Sequence, residues 1–73
     1  MALFWVNYSD QGVAVVEADS RDTALKKCID LDFPKGQAII VQLKDEDRWI
    51  YEDVIDRLIS LEEANDLFED LND

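Results

Sequence analysis

The stretch RWIYEDVIDRLI, residues 48–59, decides how many strands and helices the chain has. Its apolar pairs Ile50/Tyr51, Val54/Ile55 and Leu58/Ile59 recur every four residues, with polar pairs between them. At 100° per residue all six fall within one half of a helical wheel, and that period favours a helix. The residues just before it argue the other way. QLKDEDRWIY (42–51) has the form of a hairpin, with Trp49 and Tyr51 suited to a fourth strand. The reading that serves both puts a short strand at 48–51 and a helix or helical turn after Glu52.

Outward from this stretch the signals are plainer. Ser60-Leu61-Glu62-Glu63 is a capping box, in which the serine hydroxyl accepts from the N–H three residues on and the glutamate reaches back. It predicts a helix over 61–71, with Leu61, Ala64, Leu67, Phe68 and Leu71 inward and Glu62, Glu63, Asp66, Glu69 and Asp70 outward. Before the stretch, AIIVQL (38–43) is the most apolar strand candidate, and a central place in the sheet is its natural reading. Residues 3–8 and 13–18 read as two further strands, joined through the turn residues Ser9-Asp10-Gln11-Gly12 into a hairpin. Leu3 and Trp5 alternate with Phe4, Val6 and Tyr8, so both faces are apolar and one is open to cover from outside the domain. Asp19 or Ser20 caps a helix whose stripe is Ala24, Leu25, Cys28, Ile29 and Leu31 or Asp32, and Phe33-Pro34-Lys35-Gly36 ends it. Ser20 and Ser60, Ala24 and Ala64, Asp30 and Asp70, and Leu31 and Leu71 match at an offset of forty residues, a faint echo of two β-then-α halves. The fold expected is α+β: one small domain over 1–73, an antiparallel sheet of three to four strands, and two to three helices packed mainly on one face.

Charge is distributed unevenly. The chain carries −11. Residues 45–73 hold twelve acids against Arg48 and Arg57, hence −10, while residues 1–44 are nearly balanced. Such a field repels nucleic-acid backbones and anionic membranes, and it steers a basic partner inward. No apolar run approaches the 18 or more residues of a membrane span, and MALFWVNY lacks the basic region of a signal peptide. Cys28 is the only cysteine, which excludes a disulfide framework and fits a reducing, cytoplasmic setting.

Catalysis finds little support. There is no histidine to act as general base. Ser20 and Ser60 are explained as caps, Ser9 as a turn residue. Cys28 lies on the apolar stripe of a helix, whereas reactive thiols need an exposed, electropositive site. Gly12 and Gly36 belong to separate turns and make no phosphate loop. Asp45-Glu46-Asp47 lacks the spacing of a calcium loop, and Arg48 would oppose a cation. The expectation is a non-enzyme with no cofactor and no metal.

The acidic residues are then the candidate site. Carboxylates spaced along helices and a turn imitate the negative edge of a nucleic acid, and they accept bidentate bonds from arginine. Glu52, Asp53 and Asp56 would form one cluster, with Asp45, Glu46 and Asp47 at a turn adjoining the next. Glu62, Glu63, Asp66, Glu69 and Asp70 would form a second. Trp49 and Tyr51 lie amid this charge, either as core packing or as aromatic anchors of an interface.

In size, in charge and in the acidic stretch 45–73, the chain resembles phage-encoded inhibitors of bacterial defence, the anti-CRISPR and anti-restriction proteins, several of which imitate DNA. VVEADSRDTALKKC (15–28) looks like a strand–cap–helix phrase of small phage and mobile-element proteins. The resemblance implies an inhibitor that occupies the basic groove of a nucleic-acid-binding protein in a bacterial host. It does not carry over individual residues, because these inhibitors share no single fold. Two alternatives stand beside it: an immunity protein or antitoxin against a basic nuclease, and a homo-oligomeric scaffold pairing through Leu3, Phe4 or Trp5.

Overall fold

The computed structural model describes residues 1–34 and 36–70, with 68–70 described by backbone alone. Strands β1 (Ala2–Asn7) and β2 (Val13–Ala18) form the hairpin, with Ala2 opposite Ala18 and Asn7 opposite Val13. A turn of 3-10 helix, Ser9–Gln11, joins them. Gly12 closes it at φ 110°, and a Cβ there would stand 2.5 Å from the carbonyl oxygen of Ile59. Only glycine combines that backbone angle with that approach. Strands β3 (Ile39–Gln42) and β4 (Arg57–Ile59) flank the hairpin in the order β3-β1-β2-β4, every neighbouring pair antiparallel. Three helices complete the α+β fold: α1 (Arg21–Asp30), α2 (Arg48–Tyr51) and α3 (Leu61–Asp70).

Strand alternation divides the hairpin's side chains between two cores. Phe4, Val6, Tyr8, Ala14, Val16 and Ala18 face α1 and pack on its Ala24 and Cys28. Leu3, Val13 and Val15 face the other way and pack on Ile50, Tyr51, Val54 and Ala64. The helices thus divide two to one, with α2 and α3 over one face and α1 alone over the other. Both faces are covered by the domain's own helices, so the expectation of an open face is corrected. Leu3 and Phe4 are buried, and Trp5 stacks edge-on against Tyr51 with ring centroids 5.7 Å apart, which removes these three as a pairing surface.

Both serines cap their helices, while the return bond from the Ser60 N–H to the Glu63 carboxylate does not form. Ser20 Oγ accepts from the N–H of Thr23 at 3.2 Å, and Ser60 Oγ from that of Glu63 at 3.1 Å. The matched alanines, Ala24 and Ala64, are both buried, so the forty-residue echo corresponds to two capped helices on opposite faces. Leu61, read as inward, is exposed at the start of α3, and Leu67 packs at the margin of the α3 core; the side chain of Phe68 and residue Leu71 lie outside the description.

Three further expectations are overturned. Residues 48–59 run in the reverse order of the compromise: helix at Arg48–Tyr51, a 3-10 turn at Glu52–Val54, then strand at Arg57–Ile59. The helical run ends at Val54, Ile55 turns extended at ψ 133°, and Asp56 then takes a left-handed φ of 63°, a reversal that lets Ile59 pair with Val13. No hairpin forms over 42–51, because Asp45–Asp47 turns into a 3-10 helix that leads directly into α2. Second, β3 lies at an edge and not at the centre, with Ile39 and Val41 exposed. The hairpin strands, buried on both faces, hold the centre. Third, the α1 stripe is narrower than read: Ala24 and Cys28 are buried, while Leu25, Ile29 and Leu31 are exposed.

Candidate acidic interface

The candidate residues converge because the chain after β3 builds a single layer. From Asp45 to Val54 it crosses the Leu3–Val15 face as a 3-10 turn, α2 and a second 3-10 turn, anchored by Ile50, Tyr51 and Val54. It returns as β4, and α3 then packs on the same face through Ala64, against α2. With their apolar positions turned to the sheet, Asp45, Glu46, Glu52, Asp53, Glu62, Glu63 and Asp66 are all exposed. Asp47 is half-buried. The side chains of Glu69 and Asp70 lie outside the description. Asp10, which the sequence offered no reason to include, sits on the turn Ser9–Gln11 that touches α3.

The cations near this layer are partly engaged. Arg48 forms an ion pair with Glu17 on β2 and donates a further hydrogen bond from Nη1 to the Met1 carbonyl, 3.2 Å away. Glu17 was missed as a partner of this layer; its signal was parity, since it shares a face with Val13 and Val15. Arg57 is exposed on β4.

Three candidates separate by burial. Trp49 is 66% exposed on α2, beside Asp45–Asp47 and Glu52. Tyr51 has no exposed surface and belongs to the core, so as an interface anchor it is corrected: a side chain that reaches no solvent reaches no partner. Burial, with the nearby Asp47 carboxylate, raises its phenol above the ordinary tyrosine value. Asp56 is committed within the fold. Its carboxylate accepts from the Glu17 N–H at 3.3 Å and pairs with Lys27 Nζ at 2.9 Å, while Lys27 also donates to the Glu17 carbonyl at 2.9 Å.

No family model, curated protein or solved structure matches the chain. Among the described residues no group of acids and thiols is placed to hold a metal ion, and no helix is long and apolar enough to cross a membrane. What the layer offers is an array of carboxylates with one large aromatic surface among them.

Proposed function

We propose that the chain is a non-enzymatic inhibitor that docks its α2–α3 layer on the basic nucleic-acid-binding site of another protein. The observation that carries this is the exposure of Trp49 within a layer of exposed carboxylates, where Arg48, the one cation between residues 45 and 56, is already paired to Glu17. Carboxylates answer the arginines and lysines of such a site, and an exposed tryptophan supplies the desolvated anchor that dominates binding energy in protein interfaces. The resemblance to phage-encoded inhibitors supports a bacterial defence effector as the target class.

The test is retention of nucleic-acid-binding proteins from bacterial lysate on the immobilised chain, with DNA as competitor. Two variants are compared with wild type: the charge reversal Glu62→Lys/Glu63→Lys/Asp66→Lys, and Trp49→Ala, with thermal melts to confirm folding. The expected outcome is a protein displaced by DNA and by rising salt and lost from both variants. Truncating an anchor at ~2 kcal/mol or more weakens binding some thirtyfold. Retention that neither variant changes would sink the proposal.

A further inference from the structure

We propose that β3 is a self-pairing edge, and that two copies of the chain join through it into one continuous antiparallel sheet. The proposal stands independently of the acidic-layer reading.

The backbone supplies the first argument. Leu43 donates its N–H to the Leu3 carbonyl, and the register continues with Val41 opposite Trp5 and Ile39 opposite Asn7. In an antiparallel ladder, hydrogen-bonding direction alternates along the strand. Residues 39, 41 and 43 therefore bond inward to β1, and Ile40 and Gln42 turn their N–H and C=O groups out from the sheet. Sheet edges are normally blunted by charge, proline, bulges or shortness. The opposite edge follows that rule, since β4 has three residues and begins with Arg57. The sequence of β3, IIVQ, carries no charge and no proline.

Side chains supply the second. Ile39 and Val41 are 68% and 49% exposed on one face of the edge. On the other face, Ile40 borders a groove of about 580 Å³ between β3 and α1, lined by Leu25, Cys28, Ile29 and Ala38 among others. A two-fold axis through Ile40 sets Ile39 opposite Val41 of the second copy, twice over, and Ile40 opposite itself. Every large apolar side chain of the strand then meets another, which is the cross-strand match that fixes register. The two α1–β3 grooves are brought together along the same seam. They extend the apolar contact beyond the strands, as a specific interface of roughly 800 Å² per partner requires.

Charge selects the occupant. Two chains of −11 repel over most of their surface. Residues 33–44 contain no acid and two lysines, the longest acid-free run in the sequence. The acid-rich α3 follows from β4, on the opposite edge of the sheet. A second copy approaching β3 to β3 therefore meets an acid-free strand on its twin, although Asp45–Asp47 begins three residues past its end.

The experiment is sedimentation equilibrium over a concentration series, at low and high salt, on wild type and on two edge variants. Val41→Lys places a charge on the seam at an exposed position. Gln42→Pro deletes an outward N–H and leaves the ladder to β1 intact, as edge prolines do. Circular dichroism confirms folding of each. The expected result for wild type is twice the 8.4 kDa chain mass. Salt should strengthen the dimer by screening like charges, opposite to its effect on a basic partner. Each variant should halve the mass, and concentrated wild type should show slowed amide exchange at Ile40 and Gln42. A wild-type monomer at all concentrations, or a dimer that both variants retain, overturns the proposal. If one variant unfolds, the other variant and the exchange rates at these two amides still decide.

Discussion

Tyr51 sets a phenol in the core where, among the described residues, its hydroxyl has no hydrogen-bond partner. An unpaired buried hydroxyl contributes nothing and keeps its desolvation penalty. Tyr51→Phe should therefore be neutral or stabilising, by up to about 1 kcal/mol, and retain the edge-on contact with Trp5. The same burial governs the alkaline limit. Burial raises Tyr51, with Asp47 adding to it, and burial raises Tyr8, with the neighbouring Cys28 thiol adding to it. In the unfolded chain both phenols titrate near 10.0. Below that pH both states hold the proton and the tyrosines' contribution to stability is flat. Above it the unfolded state releases protons the fold retains, so stability falls as pH rises, by up to about 1.4 kcal/mol per pH unit for each tyrosine. Urea melts from pH 8 to 11 should show this fall, and Tyr51→Phe should show a shallower one. An unchanged slope in Tyr51→Phe would exclude its phenol as a source.

At the scale of elements, β2 depends on a clasp that no single element provides. Its pairing with β4 covers only Val13 and Ala14. Further along the same edge, the Val15 carbonyl takes the Asp56 N–H at 2.6 Å, and Asp56 and Lys27 satisfy the N–H and carbonyl of Glu17. The segment after α2 and one lysine of α1 thus close the edge from opposite faces. Asp56→Ala should cost about 2 kcal/mol. It strands the Glu17 N–H, and it puts alanine at a left-handed φ that aspartate and asparagine tolerate. Asp56→Asn keeps both features and loses only the partly exposed ion pair, less than about 1 kcal/mol. Equal losses from the two variants would assign the effect to charge alone. This clasp also marks the limit of sequence reading. Ser20, Ser60 and the hairpin turn were legible because their chemistry is local. Residues 57–59 were not, because the apolar pair Leu58/Ile59 continues the helical period, and only the left-handed turn at Asp56 turns it into a strand. Acids outward of α2 and α3 could be read from periodicity, whereas Tyr51 in the core and Asp56 in the clasp depend on partners distant in sequence, Trp5 for one and Glu17 and Lys27 for the other. AIIVQL reads as central because an uncharged edge is a liability in a monomer. The self-pairing of β3 removes that conflict.

For the whole molecule, one number governs both stability and partner choice: −11 on a body measuring 33 × 27 × 18 Å. At 0.01 M salt the Debye length is about 30 Å, so every acid of the α2–α3 layer acts on every other; at 1 M it is about 3 Å, and only neighbours interact. Like charges held on one face oppose compaction, and a domain of this size has little stability in reserve. Salt should therefore raise the melting temperature. About 1 kcal/mol of relieved repulsion corresponds to some 4–8 °C in a domain of this length. Melts of Val41→Lys, the variant expected to be monomeric, separate this effect from salt-driven pairing of β3. Adding Glu62→Gln, Glu63→Gln and Asp66→Asn to that background removes three charges from the layer and should flatten the salt dependence. A melting temperature indifferent to salt would mean that the layer is neutralised locally, and a neutralised layer has no field with which to draw in a basic partner. The melt therefore tests the electrostatic premise of the proposed function before any target is in hand.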